Sequence, residues 1–159
     1  MKITILAVGK IKEAFYRDAV AEYKKRLGRY IKLEIIETAD EKTPEEASVQ
    51  QKKKILELEG TRLLKQIRPD AYVVALAIEG QMYDSVEFSE KIRLSGVNGT
   101  GHMVFVIGGS LGLSDAVLKR ADQKLSFSRM TFPHQLMRVI LLEQIYRSYR
   151  IINHEPYHK

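Results

Sequence analysis

Two stretches of this sequence, YVVALAI (72–78) and MVFVIGG (103–109), are short, apolar throughout and rich in β-branched residues. Neither alternates polar with apolar positions, so a strand built from either has both faces covered. A parallel sheet sandwiched between helices meets that condition, and no other feature of the chain constrains the fold as tightly. ITILAV (3–8) and LEIIET (33–38) read as two further strands, and residues 124–127 as a fifth. Between them lie helical spacings. Phe15, Ala19, Val20, Tyr23 and Leu27 mark one helix over 12–27, closed by Gly28. Thr43-Pro44-Glu45-Glu46 reads as the start of a long exposed helix reaching Ile67, with Ile55, Leu58, Leu63 and Leu64 as its stripe. Shorter helices are expected over 85–94 and 115–120, and a last one from Pro133 to about Ile152. The expectation is an α/β fold in one domain spanning 1–159, without linker, repeat or low-complexity tract.

Composition narrows the function classes. Hydrophobic residues make up 45% of the 159 positions, enough for a real core, and the absence of cysteine excludes disulfides, thiolate nucleophiles and thiolate metal sites. Charges at Lys10, Lys12 and Glu13 interrupt the first apolar run, and no stretch approaches the ~18 apolar residues of a membrane span. A cytoplasmic protein that is neither exported nor membrane-bound is expected. The net charge of +6 favours an anionic partner. Lys24, Lys25, Arg26 and Arg29 cluster near the end of the first helix, and Arg129, Arg138, Arg147, Arg150 and Lys159 stud the last part of the chain. A solvated helix face explains such residues equally well.

The glycine-rich VIGGSLGLS follows a buried strand, the place where α/β sheets bind ligands. A phosphate-binding Walker loop is disfavoured, because no lysine follows these glycines before Lys119. Gly108-Gly109-Ser110-Leu111-Gly112 matches the G-x-S-x-G hydrolase elbow, and Asp115, Asp122 and His134 supply the order Ser, Asp, His. The bulky Leu111 and the short chain count against a hydrolase. Two readings remain open: glycines that let backbone amides approach a cofactor, or a plain tight turn. A second polar loop runs from Leu125 to Pro133, and the helix it opens carries His134 and Gln135 in its first turn. Two loops at one sheet edge make a pocket for a flat ring.

The residues MKITILAVGK at the start, MVFVIGGSLGL in the middle and LSFSRMTFPHQLMRVILLEQIYRSYRIINHEPYHK at the end resemble the ribosomal RNA large-subunit methyltransferase H family, one of the SPOUT methyltransferases. The resemblance runs the length of the chain, and its C-terminal block is long and specific. It implies a SPOUT-type parallel-sheet domain with a C-terminal trefoil knot, working as a homodimer. It also implies methyl transfer from S-adenosylmethionine to N3 of a pseudouridine in 23S rRNA on the assembled ribosome, in the stem-loop facing the decoding centre. The cofactor is then expected among Leu76, Gly108, Phe127, Ser128, Arg129, Met130, Thr131 and Phe132. By the same resemblance Tyr157 and His158 are functional, in a tail that reaches either its own or the opposite subunit's site.

The chemistry fits these positions. AVGKIK after the first strand lacks G-x-G-x-x-G, which disfavours a Rossmann-type methyltransferase. Methyl transfer is an in-line displacement that needs no metal, only alignment and removal of the imide proton. His158, His134 and Glu143 are candidates for that proton, and Arg147 for stabilising negative charge on the uracil oxygens. Glu143 and Arg147 are four apart on one helix, which an ordinary surface ion pair explains as well. For His134 the alternative is a helix-opening residue bonded to a loop carbonyl. Tyr157 is a stacking surface for a base. A serine hydrolase using Ser110, and a non-catalytic RNA- or ribosome-binding protein on the same fold, are the rival functions.

Overall fold

The computed structural model describes residues 1–159. Five strands, β1 (Lys2–Val8), β2 (Lys32–Thr38), β3 (Tyr72–Gln81), β4 (His102–Ile107) and β5 (Gln123–Leu125), form one sheet in the order β2-β1-β4-β3-β5. Every pairing is parallel. The two apolar runs that dominate the sequence are thus the adjacent strands β3 and β4, covered on both faces as expected.

The pleat divides the core in two. Ile3, Ile5 and Ala7 of β1 and Met103, Phe105 and Ile107 of β4 point to one side. There they meet Leu27 of α1 (Ala14–Leu27), Phe88 and Ile92 of α3 (Ser85–Val97), and Leu141, Leu142 and Ile145 of α5 (His134–Ile152). The alternate residues Leu6, Val8, Val104 and Val106 face Leu63 of α2 (Val49–Lys65) and Val117 of α4 (Asp115–Arg120). Burying side chains of this size gives roughly 1.5–3 kcal/mol each before entropy is counted. One half-buried polar pair joins β1 to β4: the Thr4 hydroxyl lies 2.8 Å from His102 Nε2, so His102 is structural.

Several boundaries differ from the sequence expectation: α1 starts at Ala14 rather than residue 12, α3 runs on to Val97 rather than 94, and three further differences have a local cause. The segment 43–46 does not open α2; Pro44 accepts from Ala47 N at 3.2 Å in a turn. The helix starts after Ser48, whose hydroxyl accepts from Gln51 N while Gln51 Oε1 accepts from Ser48 N. That reciprocal cap satisfies two otherwise orphaned amides, so it outcompetes a proline signal that satisfies none. β3 runs on to Gln81 through a register break, both Leu76 and Gln81 opposing Leu125. Residues 77–80 bow out between them. A Cβ on Gly80 would come 2.7 Å from the Lys124 backbone, so only glycine lets the strand return against β5. β5 correspondingly ends at Leu125, and Phe127 lies in the loop beyond it.

Candidate active site

A cavity of about 430 Å³ opens where β3, β4 and β5 end, at the carboxyl edge of the sheet. Leu76, Ala77, Ile78 and Glu79 from the bowed end of β3 form one wall, and the glycine loop from Gly108 to Leu113 forms the second. The third runs from Leu125 through Ser126, Phe127, Ser128, Met130, Thr131 and Phe132 to His134 and Met137. The two loops singled out in the sequence do face each other. Of the eight residues expected around a cofactor, only Arg129 is absent from the lining.

The glycine loop is a tight turn and a pocket wall at once. Gly112 N donates to Gly109 O at 3.1 Å, and Gly112 takes φ +85°, a left-handed conformation that favours glycine. A Cβ on Gly108 would overlap the Gly112 carbonyl, so this turn closes only because Gly108 has no side chain. Ser110 is not hydrogen-bonded to His134: its Oγ sits 3.5 Å from Thr43 Oγ1. Asp115 starts α4, and Asp122 accepts from Val73 N at 2.8 Å. The hydrolase triad is not assembled.

His134 enters the pocket wall from the first turn of α5, and its Nδ1 is buried without a hydrogen-bond partner. Burial and, secondarily, the Arg138 guanidinium hold its pKa below the ordinary imidazole value, against the opposing pull of Asp40 and Glu13. The loop carbonyl expected to anchor its ring is not among its partners at Nδ1. Arg138, one turn on, is only 1% exposed. Its Nη2 donates to Val8 O at 3.1 Å and Gly9 O at 2.7 Å, and its Nη1 to Glu37 Oε2 at 2.5 Å. It bolts α5 to the ends of β1 and β2, and is therefore no surface contact for a phosphate.

The remaining expected site residues form a second cluster. Glu143 Oε1 accepts from Arg147 Nη2 at 2.6 Å, Arg147 Nε at 3.0 Å and the Tyr157 hydroxyl at 3.1 Å. The Arg147 guanidinium lies 4.7 Å from the Tyr157 ring centroid, and the Tyr157 ring stands edge-on to Tyr146 at 5.0 Å. Burial, then the Glu143 carboxylate, pushes the Tyr157 phenol above its ordinary pKa, so it stays a donor. Arg147 Nη1 meets His158 Nδ1 at 3.1 Å. A guanidinium only donates, so Nδ1 accepts and the neutral ring carries its hydrogen on Nε2. With side chains 24% and 19% exposed, Arg147 and Glu143 are more sheltered than an ordinary surface pair.

His134 and this cluster share α5 but not the cavity. Glu143 lies nine residues beyond His134, about 14 Å along the helix axis at 1.5 Å per residue, and neither it nor Arg147, Tyr157 or His158 lines the pocket. The first-helix basic cluster is divided as well. Arg26 packs over Tyr23 and Tyr146, and Arg29 pairs with Glu155 at 3.6 Å, whereas Lys24 and Lys25 form no ion pair. Sequence reasoning missed Ala77, Ile78, Glu79 and Met137 as wall residues. Gly80, two residues past the expected strand end at Ile78, was the available signal for the first three. No group of three or more His, Asp or Glu side chains is placed to hold a metal ion, and no helix is long and apolar enough to cross a membrane.

Residues 1–158 match the family model described as predicted SPOUT methyltransferase. Full-length curated relatives carry the name ribosomal RNA large subunit methyltransferase H. The chain is 62% identical to the one from Bifidobacterium adolescentis, 58% to that from Clostridium acetobutylicum and 57% to that from Bacillus pumilus. In each case the alignment spans 159 residues and covers 100% of both chains.

Proposed function

The chain belongs to the SPOUT methyltransferase family, and from that membership we propose that it methylates N3 of a pseudouridine in 23S rRNA on the assembled ribosome, using S-adenosylmethionine. The observation that carries this reading is the three-walled cavity at the sheet edge. Its volume falls within the ~300–1,000 Å³ usual for small-molecule sites. Leu76, Ile78, Leu125, Phe127 and Met137 offer a flat heteroaromatic ring an apolar slot, while the glycine loop brings backbone close and His134 Nδ1 is a polar atom still lacking a partner. These residues fit S-adenosylmethionine. When bound, it supplies a methyl group on a positively charged sulfur.

The chain's own residues do the rest. Arg147 and the Nε2–H of His158 donate toward the uracil oxygens, which favours the imidate form of the base and lets the N3 proton depart to water. Glu143 holds Arg147 and the Tyr157 hydroxyl in one constellation, and Tyr157 packs against the base. Because this constellation stands away from its own chain's cavity, the active protein is a homodimer in which the tail of one subunit closes the pocket of the other. The C-terminal segment from β5 onward is threaded as a trefoil knot that buttresses the pocket, within one domain spanning 1–159. Lys24 and Lys25 supply sequence-neutral, salt-sensitive contacts to phosphates in the cytoplasmic ribosome.

Incubating the protein with ribosomes lacking the modification and with methyl-labelled cofactor, then mapping the labelled nucleotide, tests this directly. Label at N3 of one pseudouridine of the large-subunit RNA is expected. Label on a ribose or on another base, or none in a protein that binds the cofactor, overturns the assignment.

A further inference from the structure

Tyr157 and His158 are the third- and second-last residues of the chain, where backbone ordinarily frays. Here the approach to them is fastened. The Tyr30 hydroxyl lies 3.0 and 3.1 Å from the two Glu155 oxygens across 125 residues of sequence. Arg150 Nη1 donates to Glu155 Oε2 at 2.5 Å and to the Tyr30 oxygen at 3.3 Å, and Arg150 Nη2 donates to Pro156 O at 2.9 Å. Arg29 approaches the same carboxylate at 3.6 Å. The backbone repeats the attachment: Glu155 N donates to Arg150 O at 2.8 Å and His154 N to Ile151 O at 3.0 Å. The turn at His154 takes φ 55°, left-handed for a residue with a side chain.

None of these groups hydrogen-bonds to Glu143, Arg147 or His158; they form a station one step before the reactive cluster, adjoining it through the Tyr146 ring, 6.3 Å from Tyr30 and 5.0 Å from Tyr157. Stacking of Tyr30 on Tyr149, ring centroids 5.7 Å apart, makes its hydroxyl a fixed rather than a wandering donor. The adjoining Pro156 has a locked φ and no N–H, which further narrows where Tyr157 can stand.

We propose that Glu155, held by Tyr30 and Arg150, is a positioning residue that latches the tail so that Tyr157 and His158 are presented to substrate in one fixed geometry. This rests on the methyltransferase reading and adds to it a residue that acts only through others. The latch and the cofactor cavity are separate, so the two are separable by experiment. Loss of the latch lowers turnover without loosening cofactor. A displacement of about 1 Å at a reacting group costs on the order of a hundredfold in rate.

The test compares Glu155→Ala, Glu155→Gln and Tyr30→Phe with the unaltered protein. The readouts are S-adenosylmethionine affinity by calorimetry, kcat and KM on unmodified ribosomes, and amide exchange at Tyr157 and His158. Expected for Glu155→Ala are unchanged cofactor affinity, faster exchange at both amides and a kcat lower by roughly tenfold to a hundredfold. Glu155→Gln, which keeps an acceptor of the same shape, is expected to recover part of the loss, and Tyr30→Phe to reproduce a smaller loss. Unchanged exchange in Glu155→Ala, or kcat within twofold of the unaltered protein, overturns the latch. Failure of the unaltered protein to bind S-adenosylmethionine overturns the methyltransferase reading instead, and the exchange measurement then still decides whether the tail is latched.

Discussion

The phenol of Tyr157 donates to Glu143 at 3.1 Å on the same carboxylate oxygen that takes two donors from Arg147. A carboxylate oxygen committed to three donors is an organiser of cations and hydroxyls before it is an acceptor for anything else.

Replacement of Arg147 by lysine therefore costs more than replacement of Tyr157 by phenylalanine. Lysine keeps the charge but loses the fork that engages Glu143 twice and reaches His158 with its remaining nitrogen. Hydrogen bonds to charged groups contribute about 1.5–3 kcal/mol. The methyl-transfer rate in single turnover should fall about tenfold to a hundredfold for Arg147→Lys. Tyr157→Phe loses one bond of the three but keeps the ring against Tyr146 and Arg147, and should fall by less.

A chain ending at Pro156 should fold, bind cofactor and form dimers like the full protein, yet transfer no methyl group to the ribosome. The residues removed contribute nothing to the two core clusters and nothing to the cavity wall. Calorimetry with cofactor beside methylation of ribosomes checks both halves; full activity would make the tail incidental.

The pocket can be disabled from its glycines. A Cβ at position 108 would overlap the Gly112 carbonyl, whereas one at position 101 meets nothing within 4 Å. Gly108→Ala must shift backbone, at a cost of about 1–3 kcal/mol, and should weaken S-adenosylmethionine binding at least about tenfold; Gly101→Ala should leave it unchanged. Equal affinities in the two variants would remove the glycine loop from the binding site.

Much of this was legible before the structure, and for identifiable reasons. β3 and β4 announced themselves because a strand covered on both faces must be apolar at every position. The pocket loops followed from where strands end in a parallel sheet. The strand order, which places β4 between β1 and β3, was not legible, because nothing local in a run such as VVALA names its neighbour. Nor was the role of Arg138. In sequence it is one more cation, and only tertiary contact with the Val8 and Gly9 carbonyls turns it from a phosphate candidate into an internal bolt. The clustering of Glu143 with Arg147 was visible from helical spacing, but the return of the tail beside that face was not, because the Tyr30–Glu155 bond that fastens it spans 125 residues.

Acidification should destabilise the fold through its imidazoles. Burial holds both His102 and His134 below the ordinary value of 6.5. As pH falls below about 6.5 the unfolded chain takes up protons before the folded one does, so stability drops until the lowered folded pKa values are passed. Above 6.5 both states are neutral and the contribution is fully present. Glu59 opposes this: burial raises its carboxyl above 4.5, so the folded state binds its proton first and gains stability as pH falls through that raised value. Thermal melting from pH 8 to pH 5 should show a midpoint that declines below about 6.5, and His134→Asn should flatten the decline. A midpoint independent of pH across that interval would contradict the sheltered, neutral state of both rings.

Whether the tail serves its own pocket or its partner's is decided by mixing two impaired subunits, assayed at a cofactor concentration too low to fill the Gly108→Ala pocket. One carries Gly108→Ala with its tail intact, and the other ends at Pro156 with its pocket intact. If tail and pocket meet across the dimer, each heterodimer regains one complete site, formed by the pocket of the shortened subunit and the tail of the substituted one. Co-expression with two affinity tags isolates that species, and about half the unaltered turnover per dimer is expected, because one of two equivalent sites is rebuilt. If each tail closes its own pocket, neither subunit of the pair holds a complete site and the heterodimer stays as impaired as its parents. The roughly 14 Å of helix between His134 and Glu143 favours the first outcome, since the tail cluster is tied through Arg147 to the far part of α5 and not to the turn that lines the cavity.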